Sequence, residues 1–198
     1  MAARKDKDHR RAEFGQAAQR ALLNRGLEGL RLRDVAEAAG VTSAAILYHY
    51  GDLDELMADT YRHAIDRFCS SREERAERFP DARERLRSCI ESGVADGPDD
   101  LLPRLLFEYS PRSLRDPQAA ALEATLVERQ VAVYYGVLVL GREQGHFTCA
   151  ESLRILARNF VALEDGYQMD ILTRRRPRVE VIDALRSYAE TVTGCTLR

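Results

Sequence analysis

The stretch 32–51, LRDVAEAAGVTSAAILYHYG, constrains what this chain can fold into more than any other part of the sequence. Apolar and small residues recur there at helical spacing up to Gly40, where the pattern is interrupted. Two short helices that cross closely need a small residue at their contact, here Ala36, and a corner residue that adopts positive φ without steric cost, here Gly40. Thr42 or Ser43 can then cap the second helix. This order of residue types predicts a helix-turn-helix.

The outward face of the predicted second helix carries small or polar residues and an aromatic hydrogen bonder. Such a surface suits a helix that lies in the major groove of DNA. An alanine–glycine corner alone also occurs in purely structural helix pairs. Matching apolar positions on both sides of the corner, Val41 among them, favour DNA binding over that alternative. The residues predicted to face outward are Ser43, Ala44, Ala45, Tyr48 and His49.

Charge is distributed unevenly along the chain, whose formal net charge is −2. Residues 1–52 hold nine Lys/Arg and seven Asp/Glu, whereas residues 53–198 hold 21 and 25. The basic side chains therefore cluster beside the predicted DNA-reading helix, where they would neutralise phosphates. Arg4, Lys5 and Lys7 at the polar N-terminus could contact phosphate too, although a solvated tail is the simpler interpretation.

Cysteine spacing and hydropathy narrow the class of protein. The four cysteines form no C-x-x-C pair, which argues against a zinc ribbon or a thioredoxin-like site and favours reduced thiols. No cofactor and no metal site are predicted. The charged N-terminus lacks the apolar core of a signal peptide. The longest apolar run, 131–140, is about half of the ~20 residues that a membrane-spanning helix needs. We therefore expect a cytoplasmic protein without a membrane partner.

The periodicity predicts an all-α fold of about nine helices, because alternating strand patterns are absent. A first helix, Arg10–Arg25, ends at Gly26 and supports the helix-turn-helix. Residues 1–52 are predicted to form the DNA-binding domain, and 53–198 a helical effector-binding and dimerisation domain. The helix that begins at Asp52 stops before Pro80 and enters the second domain, so it can act as a lever. Five more helices follow, at Asp81–Val94, Leu101–Tyr109, Gln118–Glu143, Glu151–Leu172 and Val179–Thr193.

The last two of these helices carry more apolar surface than one small bundle needs. Two such helices that meet a symmetry copy would form a four-helix interface, which is a common architecture for a twofold dimer. Alternatively, both helices are buried within one subunit. Dimerisation through this pair is the interpretation that we favour.

The segment Arg10–Leu56 resembles the N-terminal domain of the TetR family of transcriptional regulators. The resemblance implies a homodimer that places two recognition helices in adjacent major grooves of a palindromic operator on double-stranded DNA. It also implies a repressor that a small-molecule effector releases. The residues that carry it are Gly26, Leu32-Arg33-Asp34-Val35-Ala36, Ala39-Gly40-Val41, Tyr48-His49-Tyr50-Gly51 and Leu53-Asp54-Glu55-Leu56.

The same resemblance implies a set of DNA contacts. Tyr48 and His49 would donate to phosphate oxygens, and such contacts position a protein without reading sequence. Arg33, at the start of the second helix, would reach a base or a phosphate. The backbone N–H of Leu53 would serve phosphate at a helix start. The full set of implied DNA-binding residues is Arg33, Thr42, Ser43, Ala44, Ala45, Tyr48, His49 and Leu53.

Three positions depart from the family pattern. Arg31 stands where a threonine commonly caps the second helix, Leu47 where a tyrosine is common, and Leu53 where a lysine is common. Each missing cation should lower the salt dependence of DNA binding by roughly one unit of slope per head. These departures leave open a second possibility, a helical adaptor or ligand-binding protein of the same fold that has lost specific DNA binding.

Aromatic and carboxylate side chains in the C-terminal part suggest an effector site. Rings together with inward carboxylates would suit a cationic, partly apolar ligand, through cation–π contacts and ion pairing. The alternative is that most of these rings form the core and that Glu164 is salt-bridged or exposed. The candidate ligand-binding residues are Phe107, Tyr109, Tyr134, Leu138, Phe160, Leu163, Glu164 and Tyr167.

An enzyme is not expected. Glu143 and His146 have the Glu-x-x-His spacing of a di-iron bundle, but such a site needs that motif twice with further glutamates. The histidines have no obvious cysteine or aspartate partner for a catalytic triad.

Overall fold

The computed structural model describes the backbone of residues 2–197 and the side chains from His9 to Leu197. The side chains of Arg4, Lys5 and Lys7 lie outside this part, so their predicted role is not addressed. Within it the chain is all-α, which confirms the predicted fold class, and the number of α-helices is the predicted nine. They are α1 (Ala2–Gly29), α2 (Leu32–Ala39), α3 (Ser43–Leu47), α4 (Leu53–Glu77), α5 (Ala82–Gly93), α6 (Leu101–Tyr109), α7 (Pro117–Glu143), α8 (Leu153–Leu172) and α9 (Arg178–Thr193). A short 3-10 turn, Ser110–Leu114, precedes α7.

The described residues form two compact units. The first contains the residues up to Asp66 together with Arg104–Leu122, and the second contains Arg67–Pro103 and the residues from Glu123 onward. The chain passes from one unit to the other within α4, α6 and α7. The functional boundary at 52/53 stays a prediction.

In the first unit, α1 buries one apolar face. That face consists of Phe14, Ala17, Ala18, Ala21 and Leu22. The helix begins at Ala2, eight residues before the predicted start. Its regular part breaks at Gly26, where φ is 68° and ψ is 164°. The sequence predicts that break, because a side chain at this positive φ would be strained.

In the second unit, α5, α8 and α9 and the later part of α7 share a core of aliphatic and aromatic side chains. Leu86 and Ile90 of α5 are buried in it, as are Leu156 of α8 and Leu185 of α9. The apolar run 131–140 lies inside α7, and several of its side chains belong to this core.

Neither a membrane span nor a metal cluster is visible in the described part of the chain. None of its helices is both long and apolar enough to cross a membrane. It contains no group of three or more His, Cys, Asp or Glu side chains placed to hold a metal ion. Glu143 is exposed, and His146 lies with Nε2 3.6 Å from Oδ2 of Asp81. The four cysteines are free thiols.

Candidate nucleic-acid interface and effector core

The helix-turn-helix begins with an unusual cap. Arg31, the N-cap residue of α2, offers no hydroxyl, but its backbone N–H donates to Oδ2 of Asp34 at 2.9 Å. The acidic side chain at the third helical position thus supplies the reciprocal half of a capping box. The departure at Arg31 removes the usual hydroxyl, yet the helix start keeps a side-chain hydrogen bond. The negative charge of the Asp34 carboxylate is also stabilising near the positive N-terminal end of the helix dipole.

The corner and the second helix follow the predicted chemistry. Gly40 adopts φ 67° and ψ 31°, and the N–H of Val41 then donates to the carbonyl of Ala36 at 3.0 Å. Thr42 is the N-cap of α3, because its Oγ1 accepts a hydrogen bond from the Ala45 N–H at 3.3 Å. The structure therefore selects Thr42 over Ser43 as the cap. Ile46 is fully buried and anchors α3.

The predicted DNA-binding side chains differ in accessibility. Tyr48 is 84% exposed, and Arg33, Thr42 and Ala44 are also exposed. The half-buried members of the set are Ser43, Ala45, His49 and Leu53. The DNA contacts of all these residues stay predictions, and fewer of the side chains are fully exposed than the sequence pattern indicates.

His49 is partly a packing residue. Its ring meets Phe14 edge-on, with 5.4 Å between centroids, and meets Tyr48 edge-on at 5.2 Å. Nδ1 is buried without a hydrogen-bond partner. A phosphate contact would therefore have to use Nε2 rather than Nδ1.

Carboxylates surround the start of α4. Oδ1 of Asp52 accepts from the N–H of Glu55 at 2.7 Å, and Oε2 of Glu55 accepts from the N–H of Gly51 at 2.7 Å. The carboxylate of Asp54 pairs with Arg112 at 2.5 Å. The protein's own carboxylates therefore already lie at the positive N-terminal end of α4, which is the place that the resemblance assigns to a DNA phosphate. The predicted contact through the Leu53 N–H would have to form among these three carboxylates.

A polar network holds Tyr50, which follows the predicted phosphate-contacting residues Tyr48 and His49. The hydroxyl of Tyr50 donates to Oδ2 of Asp59 at 2.8 Å, and Nη1 of Arg62 pairs with Oδ1 at 2.7 Å. The guanidinium of Arg11 lies 4.4 Å from the Tyr50 ring centroid and 3.4 Å from the carboxylate. Burial acts to raise the pKa of Asp59, but the Tyr50 hydrogen bond and the nearby cations outweigh it and lower that pKa. The network joins α1 to α4 and was not predicted from the sequence.

The candidate ligand-binding residues do not all belong to one unit. Phe107 and Tyr109 lie in the first unit, where the Tyr109 ring stacks on Tyr61 with 4.2 Å between centroids. The other six lie in the second unit, where Tyr134, Leu138, Phe160 and Glu164 are buried and Leu163 and Tyr167 are half-buried. Tyr134 and Phe160 stack at 4.7 Å.

Glu164 already has a cationic partner. Arg72 of α4 donates from Nη1 to Oε2 at 2.9 Å and from Nη2 to Oε1 at 3.0 Å, and both side chains are 1% exposed. The hydroxyl of Tyr134 also donates to Oε1. Glu164 is therefore salt-bridged within the protein, as the alternative interpretation holds, and its contact with a ligand stays a prediction. No sequence pattern marks Arg72, which lies in a charged run.

Burial and charge act in opposite directions on this ion pair. Burial acts to lower the pKa of Arg72, but the Glu164 carboxylate outweighs it and raises that pKa above its ordinary value. At Glu164, by contrast, burial outweighs the opposing effect of the guanidinium and raises the pKa above its ordinary value. Arginine keeps its proton in proteins, and the contact is bidentate, so the pair is ionised.

A separate open cavity of about 1030 Å³ lies in the first unit. Tyr109 lines it, together with the start of α4 and the residues that follow α6. Its wall holds more carboxylates than arginines, among them Glu108, whose Oε2 accepts from the Leu27 N–H at 3.0 Å. This cavity is polar, unlike the stacked aromatic cluster of the second unit.

Comparison with protein families and curated relatives points in one direction. The family model for bacterial regulatory proteins of the tetR family matches residues 16–60. The regulator BetI from Burkholderia ambifaria is 31% identical over 88 residues, which are 44% of this chain and 45% of that protein. The matched part thus spans less than half the length of that relative. An uncharacterised regulator, YfiR from Bacillus subtilis, is 23% identical over 94% of this chain and 93% of its own length.

Solved structures share the whole fold. A transcriptional regulator from Saccharomonospora viridis, solved in complex with choline, has a TM-score of 0.85 at 22% identity over 92% of this chain and 96% of that one. A TetR regulator from Haloarcula marismortui has a TM-score of 0.82 at 21% identity over 96% of this chain and 100% of that one. Together with the helix-turn-helix geometry, these matches show that residues 16–60 carry the N-terminal domain of the tetR family of bacterial regulatory proteins, and that the chain shares its fold with solved regulators.

Proposed function

We propose that this protein is a one-component repressor that binds a palindromic operator as a homodimer and is released by a small-molecule effector. The observation that carries the proposal is the surface formed by Arg33, Thr42, Ala44 and Tyr48. These side chains are exposed on α2, on α3 and directly before and after α3, while Val35 and Ile46 of the same helices are buried. A rigid short helix with an accessible small and polar face fits a major groove.

The exposed residues divide into two proposed roles. Tyr48 and Arg33 would bind phosphates and so position the DNA-binding domain, whereas the small residues Ser43 and Ala44 would lie against base edges. Small side chains let the backbone of α3 approach the bases closely. Changing a residue of the first kind should weaken binding to all sequences, and changing one of the second kind should alter sequence preference.

Apolar side chains on α8 and α9 support dimerisation. Ile155 and Met169 of α8 and Val179 of α9 are exposed in the single chain, although each is apolar. The two helices also share the core of the second unit. A second copy that covers these side chains would give the twofold symmetry that a palindrome requires.

A cationic effector is supported by two observations. The related regulator from Saccharomonospora viridis was solved with choline, which is a cation. In this chain, stacked aromatic rings and a buried carboxylate adjoin each other, as Phe160, Tyr134 and Glu164 show. An effector releases DNA only if it binds the two states of the protein with different affinity.

The proposal is tested by selecting bound sequences from a random DNA pool. We expect a palindrome to be enriched. Tyr48→Phe should then weaken binding by a similar factor on every enriched sequence, and Ser43→Ala should change the order of preference. Tyr135→Phe, at an exposed tyrosine of α7, is the matched control and should leave binding unchanged. If Tyr48→Phe and Ser43→Ala behave identically, the division of roles is wrong.

A second candidate, a ligand-binding adaptor that has lost specific DNA binding, is favoured by the surface beside α3. Leu47 is 46% exposed, and the carboxylates of Asp52 and Glu55 occupy N–H groups at the start of α4. Negative charge there would repel phosphate. A pool selection without enrichment, by a protein that still binds an organic cation, would support this candidate instead.

A further inference from the structure

A cage of hydrogen-bond acceptors surrounds the guanidinium of Arg72. Besides the two oxygens of Glu164, Nη1 donates to Oε1 of Gln130 at 2.9 Å, and Nη2 donates to the carbonyl of Cys89 at 3.3 Å. The two terminal nitrogens thus meet four acceptor oxygens, contributed by α5, α7 and α8. Nε of Arg72 is buried without a partner. The acceptor oxygens therefore bind the two terminal nitrogens of the guanidinium, whereas Nε, which links the group to the side chain, makes no hydrogen bond.

Aromatic faces and a glycine complete the cage. The carbon atom Cζ of Arg72 lies 5.4 Å from the ring centroid of Phe68 and 5.4 Å from that of Tyr134, within cation–π range. Gly93 of α5 leaves room for the carboxylate, since a Cβ there would come within 1.6 Å of Oε1 of Glu164. The carboxylate is therefore held in place for a cation.

We propose that this cage is a site for a small guanidinium or amidinium compound and that Arg72 occupies it as a tethered competitor. The inference rests on the proposed effector-controlled function and specifies its ligand class. Arg72 belongs to α4, the helix that also carries Asp59 in the first unit. An effector that takes the place of the guanidinium releases α4 from α5, α7 and α8. Such a ligand binds only the released state, which is the differential affinity that control of DNA binding requires.

The cage discriminates between kinds of cation. A planar cation with N–H groups can satisfy the oxygens of Glu164, Gln130 and Cys89 at once. A quaternary ammonium such as choline has no N–H group, so it would leave buried acceptors unpaired, which is unfavourable. Choline, in complex with which the Saccharomonospora viridis regulator was solved, lacks the N–H groups that this cage would bind.

The experiment is chemical rescue of Arg72→Ala, which removes the tethered group and keeps its acceptors. Thermal unfolding is followed with methylguanidinium or choline at equal millimolar concentration. Methylguanidinium should raise the Tm of Arg72→Ala by several degrees, while choline should not. We expect the variant to bind methylguanidinium at least tenfold more tightly than the wild-type protein, in which Arg72 competes. If Arg72→Ala is unfolded by itself, recovery of its helical circular dichroism on addition of methylguanidinium is the readout.

Two control variants decide whether the cage is responsible. Arg129→Ala removes another arginine of the second unit, one that pairs with Glu73 of α4, and should show no rescue. Arg72→Ala/Glu164→Gln removes the carboxylate charge and should lose the rescue. Equal Tm shifts in the wild type and in all variants, equal effects of choline and methylguanidinium, or no rescue in any readout would overturn the inference.

The outcome separates this inference from the proposed function. A rescued Arg72→Ala protein whose wild type enriches no DNA sequence would overturn the repressor and keep the cage. A palindrome selected by the wild type, with no rescue of the variant, would do the reverse. With both supported, a guanidinium compound should lower operator affinity of the wild-type protein.

Discussion

Two polar networks are built on the same helix, α4, in contrasting surroundings. In the first unit, the carboxylate of Asp59 is bound by Arg62 and Arg11, whose side chains are 48% and 30% exposed. In the second unit, Arg72 and Glu164 are both 1% exposed. The Asp59 carboxylate is itself only 6% exposed, but its cationic partners reach water, whereas neither member of the Arg72–Glu164 pair does. The comparison teaches that similar ion pairs on one helix differ in consequence because the solvent reaches the cations of only one of them.

The largest expected effect comes from Glu164→Leu, which leaves the Arg72 guanidinium buried without its counter-ion. We expect the free energy of unfolding to fall by about 3–5 kcal/mol, measured by urea denaturation. The double variant Arg72→Met/Glu164→Leu should recover most of this loss, because an apolar pair can replace a buried ion pair at little cost. If the single variant is as stable as the double variant, the pair is not desolvated as described.

The next effect sharpens the role of close packing in the buried network. Gly93→Ala would place a Cβ 1.6 Å from Oε1 of Glu164, so the carboxylate must leave its present position beside Arg72. We expect a loss of about 1–3 kcal/mol in the free energy of unfolding.

Gly136→Ala is the matched control in α7, since Gly136 is exposed and nothing lies within 4 Å of its Cβ position. It should stabilise by about 0.5–1 kcal/mol. A neutral Gly93→Ala would show that the cage can relax.

The smallest effect concerns Asp59 and depends on pH. Because its pKa is lowered in the folded protein, its contribution to stability is present above the unfolded pKa of about 3.9. That contribution is lost as the pH falls through the folded value. Asp59→Asn should therefore lower stability by roughly 1 kcal/mol at pH 7, and the difference from wild type should shrink below pH 4.

Thermal unfolding at pH 7, 5 and 3.5 measures this difference between Asp59→Asn and wild type. Glu74→Gln, at an exposed carboxyl of the same helix, is the control and should change little at any of these pH values. A difference at Asp59 that stays constant across this range would contradict the network as described.

Local features of the fold were predictable because they depend on neighbours in sequence. The Gly40 corner, the break at Gly26 and the apolar face of α1 all follow from helical periodicity and from the tolerance of glycine for positive φ. The cap of α2 was predictable in principle as well, since the carboxylate of Asp34 follows Arg31 at the capping-box spacing.

The sequence by itself determined the helices, the helix-turn-helix and the resemblance to the TetR family, because short-range spacing fixes each of them. Only the tertiary structure decided which charges are buried and with whom. Arg72 lies in a charged run typical of a solvated face, and its partner Glu164 follows 92 positions later. No local pattern joins two such residues. Their pairing depends on how α4 and α8 pack, and packing determines which charged groups lose their water.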